Sequence, residues 1–273
     1  CPHSRVSGWE SLGQGSGCFL FLDLHPRKDG LVVCRWVRQQ GRNPSPEARN
    51  MRPNALLRLA LCLAVVARGA AIGFDKSGNA LEPASSTPYP LVLEGQELSG
   101  ASIRVKKIAF VPIQVYAVGL YVDPKALGEL KAWKAKSHSE LAGDKSLYRA
   151  LLKDNKLTKT LRLVMVRTVT GEQMGGAISE AVESRLPHQQ DASCQAAFAG
   201  LKGMFSAPSL KTGTEIVFRW APGGKLHVTM DRESAGVLES EALVAALFDV
   251  FLGDKAVVDR GALVERLPDV LAR

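Results

Sequence analysis

The sequence predicts an α+β fold, an antiparallel β-sheet with helices packed on one face, and three observations predict it. Strand-like runs rich in Val, Ile and Tyr come first, at residues 89–94, 103–111 and 113–122. Amphipathic helical stretches then mix with shorter strand segments, and the strict strand-helix alternation of a parallel sheet is missing. There is no internal repeat.

Pro112 falls between the second and third runs, where a turn tolerates its missing N–H, so these two runs form a hairpin. Residues 125–152 read as helix in two pieces, broken near Gly143. Residues 160–168 return to strand, with Leu161, Leu163 and Met165 alternating against Arg162, Val164 and Val166. Thr170-Gly-Glu-Gln173 has the spacing of a capping box, in which the Thr oxygen accepts from the amide three residues on and Gln173 reaches back. Met174, Ala177, Ile178, Ala181 and Val182 then recur at helical spacing and form one apolar face.

Residues 192–205 repeat that behaviour through Ala197, Leu201, Met204 and Phe205, ending before Pro208. Three short strands follow at 215–220, 225–230 and 235–238, with Pro222-Gly-Gly224 turning the first into the second. A helix over 240–252 is apolar at Leu243, Ala246, Leu247, Val250 and Phe251 and stops at Gly253. A last helix spans 259–271.

Charge divides the chain unevenly. Residues 1–72 hold ten Lys or Arg against four Asp or Glu, so they supply +6 of the formal +8, whereas residues 73–273 hold 25 against 23. The folded part therefore lacks the gathered basic charge that phosphate binding requires, and nucleic acid is not an expected partner. Cys1, Cys18, Cys34 and Cys62 precede residue 73, which leaves Cys194 alone in the remainder without an intradomain disulfide partner. No CxxC pair and no His or Cys cluster at metal spacing occurs, and no metal or other cofactor is expected.

Residues 1–50 mix Gly, Pro, Arg and scattered aromatics without a sustained period, and read as an unstructured stretch or a mis-assigned upstream extension. Residues 51–72 begin Met-Arg-Pro, continue with an apolar stretch from Ala55 to Ala67, and end on small residues. This is the pattern of a signal peptide cut after Ala71, placing the protein in a plastid entered through a secretory-type leader, or in a secreted or lumenal compartment; an Arg-rich organelle transit segment is the alternative. The apolar stretch is shorter than the roughly 20 residues of a membrane span. Residues 73–88, rich in Ser, Pro and Gly, read as a linker, and the domain proper as 89–273.

The catalytic signatures of common enzyme classes are missing: there is no GxSxG elbow, phosphate-binding P-loop, HExxH or dinucleotide fingerprint. The Gly-containing run from Gly171 to Gly176 has no phosphate-loop Lys and reads as the start of the capped helix. Chemistry concentrates instead in Arg104 and Tyr116, which sit among apolar residues of the first hairpin. Arg cannot shed its charge, so an Arg in apolar surroundings needs an anionic or strongly polar partner. The competing reading makes Arg104 a solvated strand residue beside Lys106 and Lys107, and Tyr116 half-buried packing. His227 has no carboxylate partner at a readable spacing and is not a candidate base.

Four segments in order, Gly100-Ala-Ser-Ile-Arg104, Val115 to Asp123, Thr170-Gly-Glu-Gln173 opening a helix, and Val237 to Leu243 leading to Leu252-Gly253, resemble the chalcone isomerase fold family over about residues 89–271. The resemblance implies a ligand cleft between sheet and helices. Plant chalcone isomerases close a flavanone ring with an Arg and a Thr on the strands, a Tyr and an Asn on the capped helix, and a Thr or Ser near the start of the C-terminal helix. Matched residue by residue, the Arg is kept as Arg104. Tyr116 takes the strand Thr position, Met174 the helix Tyr position and Ala181 the helix Asn position, while Val244 falls near the last. Met and Ala can neither hydrogen-bond a ketone nor organise a water.

An Arg followed twelve residues later by Tyr resembles the non-catalytic fatty-acid-binding branch, in which both hold a carboxylate. The expected ligand is then a fatty acid or similar amphipathic carboxylate, its head on Arg104 and Tyr116 and its chain along Met174, Ile178 and Ala181. Two alternatives stay open: an isomerase-type intramolecular lyase using Arg104 to stabilise an oxyanion, and a ligand-free interaction module whose cleft is filled by Met174, Phe198 or Phe205. From the leader pattern, N-terminal sequencing of the mature protein should find Ile72 first; a mature chain retaining residues 51–71 would overturn the leader reading.

Overall fold

The computed structural model describes residues 72–123, 130–187 and 190–272, together with the backbone of 20–26 and 32–38. The expected leader at 51–71 lies outside the described residues. Two units separate, Cys1–Gly69 and Ala70–Arg273. In the first, β1 (Leu20–Pro26) pairs antiparallel with β2 (Val32–Arg38).

The second unit begins with three two-residue strands, β3 (Gly73–Phe74), β4 (Ala80–Leu81) and β5 (Pro88–Tyr89), which form a small antiparallel sheet. This corrects the reading of 73–88 as a linker. Polar composition concealed local order: the buried Glu82 carboxylate accepts from the Ser85 amide at 2.7 Å and from its hydroxyl, so side chains supply the bonds that an isolated loop would leave to water. β6 (Val92–Leu93) then enters the main sheet. The expected single strand over 89–94 is two pieces because Pro90 cannot donate to a ladder, and its carbonyl instead accepts from the Tyr121 hydroxyl at 3.0 Å.

Strand β7 (Gln96–Ile108) turns into β8 (Val111–Val122). The hairpin is as expected but the turn is not at Pro112. Ala109 and Phe110 form the loop, both at positive φ, and Pro112 is a strand residue opposite Lys107. It is tolerated because the β8 partner on the other side, β9 (Lys159–Met165), begins pairing only at Tyr116. Between them lie α1 (His138–Gly143) and α2 (Lys145–Lys153), separated at Asp144, whose carboxylate caps the second helix by accepting from the Ser146 amide at 2.8 Å.

The Thr170–Gln173 capping box opens α3 (Gly171–Glu183) as the spacing predicts, with both reciprocal bonds formed. Helix α4 (Ala192–Gly203) is followed by β10 (Glu215–Ala221), β11 (Lys225–Met230) and β12 (Glu233–Glu239). Ser240 caps α5 (Glu241–Leu252). The expected helix over 259–271 is a 3-10 turn at Ala262–Val264 and a short α6 (Leu267–Ala272). Pro268 accounts for the break, since it has no N–H to give the carbonyl four residues back.

The main sheet runs β12-β11-β10-β9-β8-β7-β6, antiparallel throughout. Period-two alternation assigns its faces. Tyr116, Val118, Leu120 and Val122 of β8 join Leu161, Leu163 and Met165 of β9 and Ile216, Phe218 and Trp220 of β10 in one large core with the helices. Ala117 and Tyr121 face the other way, into a smaller cluster with Ala80, Tyr89, Leu98 and Ala101. Gly119 belongs to that second face, where a Cβ would stand 2.6 Å from the Tyr89 ring. Among the described residues no helix is long and apolar enough to cross a membrane.

The large core also buries a cation. Lys159 is fully buried, donates from Nζ to the Asp154 carbonyl at 2.7 Å, and lies 3.7 Å over the Trp220 ring. Desolvation lowers its pKa from 10.5 to about 7, with the Asp154 charge opposing. The unfolded chain therefore binds more protons between those values, and stability rises with pH across that window. Urea unfolding at pH 7 and pH 10 should show the stability gap between the native protein and Lys159→Met moving in the native protein's favour at the higher pH; a constant gap would contradict the assignment.

Candidate functional site

Arg104 and Tyr116 are directly opposite each other on β7 and β8, on the helix-facing side of the sheet. A register irregularity follows immediately, between Arg104 and Val105, where Val115 has no opposite residue. Arg104 is half-buried and donates from Nη1 to the Val257 carbonyl at 2.9 Å, with a second, longer contact of 3.5 Å to the Val105 carbonyl. None of the ion pairs among the described residues includes it. A guanidinium has five N–H donors, so among the described residues most of its donor capacity is unused.

Tyr116 is buried and packs at 6.4 Å between ring centroids against Phe251 of α5. Burial pushes its hydroxyl well above the usual tyrosine pKa, and the Arg104 charge pulls in the opposite direction. The phenol remains a neutral donor across physiological pH. Among the described residues it finds no hydrogen-bond partner, and its oxygen is not sealed from solvent. The pair thus offers a charged forked donor and a neutral O–H at the margin of the large core.

Met174 and Ile178 are buried on α3 and belong to the same apolar core as Tyr116. Helix α3 packs on α5, the helix whose Phe251 meets the Tyr116 ring, and all of these residues belong to the one large core. Ala181 is half-buried at the core margin, and its carbonyl accepts from Arg185 Nη1 at 2.7 Å. Phe198 and Phe205 fill the same core. Two surface depressions lie elsewhere. One, of about 480 Å³, is lined by Glu172, Gly176, Glu180 and Lys202 on the helical side. The other, of about 490 Å³, is lined by Glu94, Arg219, His227 and Arg232 on the open sheet face. Among the described residues no cluster of His, Cys, Asp and Glu could hold a metal ion.

Sequence reasoning missed the partner that orients Arg104. Three arginines converge on the segment after α5: Arg260 Nη1 donates to the Leu252 carbonyl at 3.2 Å, Arg185 Nη2 to Lys255 at 2.6 Å, and Arg104 to Val257. Leu252 ends α5, where carbonyls lack intrahelical partners and the helix carries partial negative charge, so Arg260 answers both needs there; Lys255 and Val257 lie beyond the helix, and Arg185 and Arg104 serve carbonyls of the following loop. The signal available in the sequence was the helix stop at Gly253, but Val257 lies 153 residues from Arg104 and no periodicity links them.

The chalcone isomerase-like family matches residues 87–261, and the chain belongs to that family. It is 30% identical over 173 residues to a chalcone–flavanone isomerase of Oryza sativa subsp. japonica, covering 59% of this chain and 73% of that protein. It is 27% identical over 178 residues to chalcone isomerase-like protein 2 of Humulus lupulus, covering 63% and 82% respectively. Among solved structures, a fatty-acid binding protein of Arabidopsis thaliana superposes with a TM-score of 0.61 at 23% identity, over 71% of this chain and 98% of that one, which establishes the shared fold.

The Arg104 bond to one carbonyl sets the structural cost of removing it. Arg104→Ala should fold and lose about 1 kcal/mol, the net worth of one such bond at a half-exposed site. Equilibrium urea unfolding measures this. A loss above about 3 kcal/mol would mean that Arg104 is chiefly a structural clamp.

Proposed function

We propose that this protein binds fatty acids or similar amphipathic carboxylates without catalysis. The carboxylate is held by the Arg104 guanidinium and the Tyr116 hydroxyl, and the acyl chain lies along Met174, Ile178 and Ala181. The observation that supports this most is Arg104 itself, a half-buried cation that has no carboxylate partner among the described residues, set across from a phenol that finds no hydrogen-bond partner among them either. A carboxylate fits that pair because its two oxygens accept from the fork and from the hydroxyl together. The chain enters a core closed by its own side chains, so binding requires rotamer changes, for which the unbranched, flexible Met174 is suited. The fatty-acid binding named for the Arabidopsis protein of the same fold is consistent with this reading. On the same proposal, the leader pattern read at 51–71 would direct the protein to a plastid or to a secreted or lumenal compartment.

A second reading, ring closure of the chalcone isomerase type, is favoured by the 30% identity to the rice enzyme and by Arg104. Against it, Met174, Ala181 and Val244 offer no polar side-chain atom where that chemistry needs hydrogen-bonding groups. Turnover of a chalcone at ordinary enzyme concentration would establish it.

Delipidated protein titrated with a long-chain fatty acid should bind, and Arg104→Ala should weaken binding by about tenfold or more, while Tyr116→Phe has a smaller effect. The matching fatty alcohol should bind more weakly and be indifferent to Arg104→Ala. Absence of acyl-chain binding, or equal affinity in the Arg104 variant, would sink the proposal.

A further inference from the structure

Beyond Tyr116 the β7–β8 hairpin leaves the sheet. β9 pairs with β8 only from Tyr116 onward, so the remainder is a two-stranded ribbon, and every residue from 105 to 112 is exposed. Its cross-strand pairs are Val105 with Gln114, Lys106 with Ile113, Lys107 with Pro112 and Ile108 with Val111. One face therefore presents Ile108, Val111 and Ile113 with Lys106, and the other presents Val105 and Pro112 with Lys107.

The tip is apolar and uncovered. Phe110 is 99% exposed, Val111 58% and Ile108 51%. Burying such side chains in water-excluding surroundings is favourable, yet no part of the described fold does so. The two loop residues, Ala109 and Phe110, also hold positive φ, the backbone of a type I′ turn that Asn and Gly adopt readily and Phe does not. The turn keeps a large aromatic where backbone preference alone disfavours one.

Charge identifies the occupant. From Gly100 to Val122 there are three cations, Arg104, Lys106 and Lys107, and no Asp or Glu. Two lysines immediately behind an apolar tip match a surface that is apolar inside and negative at its rim. We propose that the β7–β8 ribbon docks on an anionic lipid bilayer, with Phe110, Ile108 and Val111 entering the interface and Lys106 and Lys107 against the headgroups. Insertion stops at the interface, because the free ribbon edges carry backbone N–H and C=O groups that hydrocarbon cannot satisfy. The proposal is independent of acyl-chain binding, since it concerns the ribbon and not the Arg104–Tyr116 pair at its root.

Co-sedimentation of the full chain with phosphatidylglycerol-rich vesicles should show binding that weakens with salt, and little binding to phosphatidylcholine alone. Phe110→Ser should weaken it by at least about tenfold. The double variant Lys106→Gln, Lys107→Gln should weaken it on the order of 30-fold. Both substitutions lie on exposed side chains, and circular dichroism confirms that each variant is folded; the N-terminal basic residues are the same in all samples. In Phe110→Trp, emission at the new indole should shift to the blue and be quenched by brominated lipid. The proposal is overturned if the native chain does not pellet with anionic vesicles, if either ribbon variant binds as the native chain does, or if the Phe110→Trp emission is unmoved. Ribbon-dependent dimers without vesicle binding would overturn it equally, assigning the tip to a second copy of the chain.

Discussion

The rest of the structure depends on β8 being buried on both faces from Tyr116 to Val122. Alternate residues commit to opposite cores: Val118, Leu120 and Val122 to the helices, Ala117 and Tyr121 to the smaller cluster, with Gly119 leaving room for the Tyr89 ring. A slip of one residue would exchange the two sets, placing Tyr121 among the helices and Leu120 against Tyr89. Register is therefore specified twice. The same alternation places Tyr116 on the helix side, and through the pairing with β7 it sets Arg104 beside it.

Arg104 belongs to two systems at once. It is one of three guanidinium groups that satisfy carbonyls at the end of α5 and in the loop that follows, and it is the charged member of a donor pair with Tyr116. These roles are compatible because a single carbonyl uses a fraction of a guanidinium's donors. A backbone carbonyl fixes the fork's direction without neutralising its charge, as a carboxylate would. The site is thereby pre-oriented at small cost, the usual condition for holding an anion in partly apolar surroundings. Family membership alone does not decide the chemistry, since one fold can host different functions and the site residues must carry the argument.

Much of the fold was legible because its signals are local. The Leu161, Leu163, Met165 alternation, the Thr170–Gln173 box and the stop at Gly253 each involve residues within a turn or two of one another, and the structure has all three. The first half of β7 was not legible: Gln96 to Ser102 is polar and small, and it is a strand because it lies between β6, β8 and the 3-10 turn, whose backbone leaves no room for a Cβ at Gly100. Proline misled in opposite directions, breaking the strand at Pro90 while being accommodated at Pro112. Of the candidate site, the residue types at 104 and 116 were readable and the cross-strand pairing followed from the hairpin. The carbonyl of Val257, the Phe251 ring against Tyr116, and the burial of Lys159 over Trp220 were not, because each is a long-range tertiary fact.

The turn at Ala109 and Phe110 has a consequence for how sequences of this kind can change. Each left-handed non-glycine residue costs about 1 kcal/mol or more relative to a conformation it prefers, and glycine escapes that cost. A population selected only for thermal stability would drift toward Asn-Gly at these positions and discard the aromatic. A lineage that retains a large apolar residue there, against that drift, records selection acting on the side chain and not on the fold.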